Sequence, residues 1–403
     1  MLINKSIDKK INTLITGVFL LIWGANSYFL FGEQGRIAII ATGLFFITWP
    51  VLRMRKKSRF FLFLSISVIY YLIVMVVAFY NQQNTFTPTN LIFSFICLIL
   101  LNAGFQLGYV LNLNYKNYNK NFNLNNNILL VAAGLTILSC YYFYINQTSL
   151  IHYASNSRDF VDENINPVGI AYSNSLLFLF FFWAASFTSK MYVKIIMCLT
   201  MIATMLIIIS SMSRGALIFI SILFFIYIFR EVKLSIRALR LILKVFFISL
   251  LLIAGVYFYS QYNSYLESRL NGTINRFSLL IDFTAGSYDD QSINAREEYY
   301  EDFYGNYHNW FLGERNYKPY PHNQFLEMYM RWGIFGIPIM LFSIYCFLKS
   351  LQKLNKNYLK NKPILFLILI LFFISYLQSM SSLSLEMNRS LWLGFGFIYG
   401  YYR

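Results

Sequence analysis

The sequence predicts an all-α polytopic membrane protein of about twelve transmembrane helices, and three observations predict it. Hydrophobic residues fill 58% of 403 positions and charged residues only 12%, a balance outside the range of soluble globular domains. Apolar runs of about 20 residues, the length that spans a bilayer, recur from one end of the chain to the other. The third observation is that basic and acidic residues alternate in step with those runs.

The expected spans fall at about 11–31, 37–52, 60–80, 90–113, 128–146, 168–188, 195–211, 215–229, 241–260, 323–348, 363–380 and 388–402. With the N-terminus inside, 23 of the 33 Lys and Arg residues lie on inner segments, and 15 of the 17 acidic residues lie on outer ones. This obeys the positive-inside bias at every loop and places both termini in the cytoplasm. The net charge of +16 is therefore a topological signal and a contact with anionic membrane lipid, and nucleic acid is not expected as a partner. The first span follows a Lys-rich start without a small-residue cleavage site and reads as a retained anchor. We read 1–403 as a single integral membrane domain, with 261–322 a large outer loop within it carrying one or two short interfacial helices. The Asn-rich run 116–127 reads as a solvated inner loop. Cys97, Cys140, Cys198 and Cys346 all fall inside apolar runs, where packing is a better account than disulfides or metal ligands.

The residues able to carry chemistry crowd at the outer ends of the spans. His322, one of three histidines, stands where the long loop re-enters apolar sequence, and its imidazole can exchange protons near neutral pH. Asn323 follows it. Glu327 and Arg331 are four residues apart and can pair on one helical face; ionisable groups inside a span are functional candidates because their burial is costly. Gly333 and Gly336 lie one turn further on, a spacing that lets another helix approach closely in lipid. The plainer alternative is a helix start with a snorkelling His and two packing glycines.

Arg214 sits in the short outer turn 211–215, where a guanidinium offers a fork of donors matched to phosphate oxygens; as an alternative it snorkels to lipid headgroups. Arg296 has the same chemistry, but Glu297, Glu298 and Glu301 can simply pair with it, and Arg158 has Asp159 and Asp162 beside it. Tyr299, Tyr300, Phe303, Tyr304, Tyr307 and Trp310 suit either stacking on sugar rings or residence at the lipid interface. Phosphate-loop, HExxH, CxxC and GxSxG signatures are absent, so neither a metal nor another cofactor is expected. The pair Asp289–Asp290 could hold a divalent cation but reads more readily as acidic loop surface.

The run His322-Asn323, nine residues, Gly333-x-x-Gly336 resembles the signature of the bacterial O-antigen ligase and O-antigen polymerase superfamily. The resemblance extends to Ser213-Arg214-Gly215-Ala216 at a short outer turn, and to Arg296 followed by aromatics and Phe311-Leu312-Gly313. It covers about residues 200–345 with motifs and the first five spans by topology alone. Glu314-Arg315 depart from it, since a second glycine is common there. The resemblance implies glycan transfer at the periplasmic face of the inner membrane, with donor and acceptor glycans carried on undecaprenyl diphosphate. His322 would be the general base, with Arg214, Arg296, Arg158, Asn323, Glu327 and Arg331 on the diphosphate or substrate. A chain-length regulator and a flippase would be partners in the same membrane.

Within that superfamily the reading is a polymerase of O-antigen or capsule repeat units. Arg158, ten residues and Gly169 resemble an Arg-x10-Gly pattern of polymerase outer loops. The alternatives are a ligase that moves finished glycan to lipid A–core or to protein, and, from another class, a flippase for the lipid-linked unit. A flippase would line many spans with charge, whereas most spans here carry none.

Overall fold

A computed structural model describes residues 2–52, 57–81, 88–118, 125–146, 167–211, 213–229, 300–301, 303–309, 311–315, 323–354, 362–381 and 388–402, with single positions at 267, 271, 272, 274, 278, 359 and 385. Among the described residues the chain is helical, without strands. Eleven α-helices have defined bounds among the described residues: α1 (Leu2–Leu52), α2 (Lys57–Tyr80), α3 (Pro88–Tyr118), α4 (Asn126–Ile145), α5 (Pro167–Phe187), α6 (Met191–Ser210), α7 (Arg214–Phe229), α8 (Gln324–Trp332), α9 (Ile337–Lys353), α10 (Pro363–Ser379) and α11 (Arg389–Tyr402). Among the described residues, seven helical segments are long and apolar enough to cross a membrane, counting α1 once and α8–α9 once, and α7 and α10 are shorter apolar helices. The expected span 241–260 lies outside the described residues.

The first two expected spans are the two arms of α1. Gly32 separates them with φ 65° and ψ −167°, a conformation that glycine adopts without Cβ strain. The arms return on each other: a β-carbon on Gly17 would press against Gly43, and one on Gly24 against Ile40. These pairs step in opposite directions, so the arms are antiparallel. Glu33 and Arg36, in the first turn past the hinge, pair at 2.6 Å.

Burial follows hydrophobic pattern. The 17-residue α10 is apolar all round, and 15 of its residues are buried, which makes it the axis of the bundle. It packs against α5, α7, α9 and α11. By contrast α2 exposes Leu62, Ile66, Ile69, Leu72, Val76 and Phe79, the outward apolar face expected of a lipid-facing helix. Several polar side chains inside the bundle are hydrogen-bonded between helices, because hydrocarbon offers no substitute for water. Asn26 and Asn174 exchange two amide bonds of 2.9 and 3.1 Å between α1 and α5, and Trp23 donates to Ser139 of α4 at 3.3 Å.

The tightest seam joins α3 to α11. Gly104 and Gly108 on α3 meet the backbone of Leu393 and Phe397, while Gly396 and Gly400 on α11 meet the backbone of Leu101 and Phe105. Each helix therefore contributes two glycines four residues apart, the small-residue pattern that lets helices touch backbone to backbone. The pairs advance in the same direction along both helices, so α3 and α11 run parallel. Both descend from the outer side in the expected topology.

Two expectations are corrected. The span 323–348 is not one helix: α8 ends after nine residues and Gly333–Gly336 form a 3₁₀ turn before α9 begins. Nor do Gly333 and Gly336 receive another helix. Gly333 has φ 54°, and its missing side chain leaves room for the backbone of Phe311 and Gly313; Gly336 folds back against Met328 of α8. Helix seams are instead formed by Gly17 and Gly43 between the arms of α1 and by the glycines of α3 and α11.

Candidate functional site

One end of the bundle gathers the C-terminal ends of α2 and α10 and the N-terminal ends of α5, α7, α8 and α11. The polar side chains there form a connected set. Asn323 caps α8 by accepting from the backbone of Phe325 and Leu326 at 2.9 and 3.4 Å, as an Asn at this position should. Its amide donates to the Tyr300 hydroxyl at 3.1 Å. Next to it, fully buried Gln324 accepts from Ser379 at the end of α10, 2.9 Å away.

From α10 the chain of contacts continues to Arg214. Ser381 shares a 3.1 Å hydrogen bond with the Tyr172 hydroxyl of α5, and Gln378 donates to Ser175 of the same helix at 3.1 Å. That hydroxyl also occupies the space a side chain on residue 215 would need: a β-carbon there would sit 2.6 Å from it. Glycine at 215 thus lets the turn carrying Arg214 close against α5. Arg214 is half-buried and opens α7. The two segments singled out in the sequence, the Ser-Arg-Gly turn and the start of α8, meet at one end of the molecule through Tyr172, Ser381, Ser379 and Gln324.

Glu327 and Arg331 pair as their spacing implies, at 3.0 Å, and both are almost wholly buried, 1% and 5% exposed. The second carboxylate oxygen of Glu327 accepts from the backbone N–H of Leu385, between α10 and α11, at 3.1 Å. The pair holds α8 to the bundle. A second brace comes from residues 311–315. Ile334 donates to the Phe311 carbonyl at 2.9 Å, Asn81 at the end of α2 donates to the Leu312 carbonyl at 2.6 Å, and Gly313 with φ 94° lies on the backbone of Arg331. The Tyr70 hydroxyl donates to the carbonyl of Phe335.

The aromatic stretch of the long loop divides. Tyr300, Glu301 and residues 303–306 are helical, followed by a 3₁₀ turn at Tyr307–Asn309. Tyr300 and Phe303 pack on Leu326 and Met330 of α8, and Tyr329 donates to the Tyr307 carbonyl at 3.0 Å. Tyr304 and Tyr307 stay exposed. His322, Arg296 and Arg158, with Tyr299, Trp310 and Asp289–Asp290, lie outside the described residues.

Sequence reasoning missed Tyr172, Gln378, Ser379 and Ser381, all inside or at the edge of apolar runs. The available signal was the Gln-Ser-Met-Ser-Ser cluster closing the span before 380, polar residues whose burial in lipid demands partners. Among the described residues, no three His, Cys, Asp or Glu side chains gather as a metal site would require. Cys97, Cys140, Cys198 and Cys346 form no disulfide among the described residues.

Fold and site together define a multi-pass helical membrane protein with a buried polar network at one end. No protein-family model matches the chain, and neither curated proteins nor solved structures yield a match.

Proposed function

We propose that this chain is a bacterial inner-membrane glycosyltransferase that joins undecaprenyl-diphosphate-linked oligosaccharide units into O-antigen or capsular polysaccharide. The observation that carries the reading is the meeting of the Arg214 turn with the start of α8, since His322 immediately precedes Asn323 in the chain. In this reading twelve spans cross the membrane, both termini are cytoplasmic, and the polar end faces the periplasm.

His322 takes the proton of an acceptor hydroxyl as its oxygen attacks the anomeric carbon of the donor sugar. The bond from that carbon to the diphosphate breaks, and undecaprenyl diphosphate leaves. Its developing charge is met by Arg214 and Arg296, whose guanidinium forks suit phosphate oxygens and act strongly near a low-dielectric boundary. The sugar is already activated, so the reaction uses no nucleotide or metal. Arg158 serves the second lipid-linked glycan that a polymerase must hold. A flippase and a chain-length regulator work beside it.

The test is gel analysis of surface polysaccharide in a deletion strain complemented with wild type or His322→Ala. The expected result is a long ladder with wild type and core plus a single repeat unit with His322→Ala, at equal protein in the membrane. General base removal lowers rates by roughly 10²–10⁴. A normal ladder from His322→Ala overturns the assignment, and bare core with polymer retained on the carrier makes the protein a ligase.

A further inference from the structure

A narrow cavity of about 310 Å³ runs between α2, α3, α9 and α11 and reaches Arg331 and Leu385, beside the polar end just described. On α2 it follows the helix from Phe63 to Met75, which is about 18 Å at 1.5 Å per residue. Its walls are almost entirely apolar, formed by residues such as Ile66, Tyr70, Cys97, Leu385 and Trp392. Two of its sides, α2 and α9, are the helices with the most outward-facing apolar surface, and Ile66 itself is 55% exposed. The cavity therefore opens toward lipid and is shaped for one extended hydrocarbon chain.

Beside it stands Arg389, the first residue of α11. Its guanidinium lies over the Phe93 ring at 5.3 Å, one residue from Ser94 in the cavity wall, and it is flanked in the chain by the wall residues Leu385 and Trp392. Its Nε is shut off from solvent and has no hydrogen-bond partner among the described residues. Among the described residues, the carboxylate within electrostatic range, Glu33, is already paired with Arg36. A cation at a helix N-terminus also opposes the helix dipole, so an anion at this place is doubly favoured. The other cation in the wall, Arg331, has its charge matched by Glu327.

We propose that this groove and Arg389 bind the lipid carrier of one of the two glycan substrates, the isoprenoid chain in the groove and the phosphate on Arg389. The substrate class rests on the function proposed above; the groove, its apolar walls and its cationic rim do not. Arg389 then does for one carrier what Arg214 does for the other. The two carriers are kept apart by α10, so that two bulky lipids reach one polar end from different sides.

The test uses purified full-length protein in nanodiscs and a photoactivatable undecaprenyl monophosphate, with crosslinks mapped by mass spectrometry. Expected are crosslinks on α2, α3 or α11, competed by unlabelled undecaprenyl monophosphate but not by equal phosphatidylglycerol. Arg389→Gln should lower labelling about tenfold, the loss of one charge-assisted contact. Ile66→Trp, a change at a lipid-facing position that leaves the fold intact, should block the groove to a similar extent. Equal competition by phosphatidylglycerol means the groove holds bulk lipid, and overturns the proposal. So does labelling that neither variant alters, or labelling elsewhere. Labelling in the groove together with a normal polysaccharide ladder in the deletion strain would sink the glycosyltransferase reading and leave the lipid site standing.

Discussion

The α3–α11 seam and the α8–α9 break each depend on pairs of glycines in apolar sequence, yet the backbone uses them in opposite ways. At the seam, Gly104, Gly108, Gly396 and Gly400 are helical, and each lets a neighbouring helix backbone come within contact. At the break, Gly333 has φ 54° and ends a helix. The spacing differs by one residue, four against three, but the surroundings decide. The seam is flanked mostly by Leu, Phe and Tyr, with Asn102 and Gln106 buried beside its α3 glycines and Asn102 bonded to Ser67 of α2. The break follows a helix whose polar residues Asn323, Gln324, Glu327 and Arg331 all need partners. Those partners lie on α10, in the α10–α11 connection and in the 300–315 region, and an uninterrupted helix would not be free to meet them and α9's neighbours together.

The sharpest way to break this comparison is at the seam. A side chain at Gly396 would overlap the Leu101 backbone, which cannot move without shifting α3. Gly396→Leu should cost more than the about 1–3 kcal/mol of ordinary overpacking, and should appear as loss of folded protein from the membrane by protease resistance. Recovery of wild-type resistance would mean the seam is not a stability element.

Next comes the ion pair behind the break. Glu327→Gln keeps the shape and an acceptor for the Leu385 N–H but removes the charge facing Arg331. Breaking a buried pair from one side costs about 3–5 kcal/mol, while replacing both partners can be nearly neutral. The single variant should lose several degrees of thermal stability, and Glu327→Gln with Arg331→Met should regain most of it. If the double variant is no better than the single, Arg331 needs more than neutralisation.

Smaller is the break itself. Gly333→Ala puts a β-carbon against the Phe311 backbone in a left-handed conformation, a strain of about 1–3 kcal/mol. The protein should still fold, with 311–315 displaced and polymer shortened on gels. A variant with full activity would show that the break does not position α8.

Much of the helical layout was legible because hydropathy and charge sidedness are long-range, redundant signals. The expected spans at 60–80, 128–146, 168–188 and 363–380 coincide with α2, α4, α5 and α10 to within a few residues. The hairpin at Gly32 was equally readable, from the polar Gly32–Arg36 between two apolar runs. The break in 323–348 was not, since the run from Ile334 onward is as apolar as a continuous span and only the sign of φ at Gly333 distinguishes them. The Glu327–Arg331 pair followed from spacing alone. Its attachment to Leu385, 58 residues away, did not, because long-range partners of a buried carboxylate leave no local trace. The same holds for Tyr172, which reads in sequence as one more aromatic in a span of aromatics.

Tyr172 carries the smallest and most informative prediction. Its hydroxyl bonds Ser381 and fills the space left by Gly215, so it sets how the Arg214 turn sits against the end of α10. Tyr172→Phe removes only an oxygen. The cost in stability should be near that of one hydrogen bond, about 1 kcal/mol, and protein yield should hold. The ring still packs in the Ala171, Ile208, Ala216 and Ile220 cluster, so α5 and α7 stay together. What changes is the seating of the turn, which in the proposed function sets the Arg214 fork against diphosphate. The expected signature in a polymerisation assay with lipid-linked oligosaccharide is a lower kcat at little-changed KM, several-fold, since misplacement matters most where charge develops. Gly215→Ala, which crowds the same hydroxyl, should reproduce it. A raised KM with unchanged kcat in both variants would place Arg214 in ground-state lipid binding, and unchanged kinetics in both would detach the turn from the chemistry.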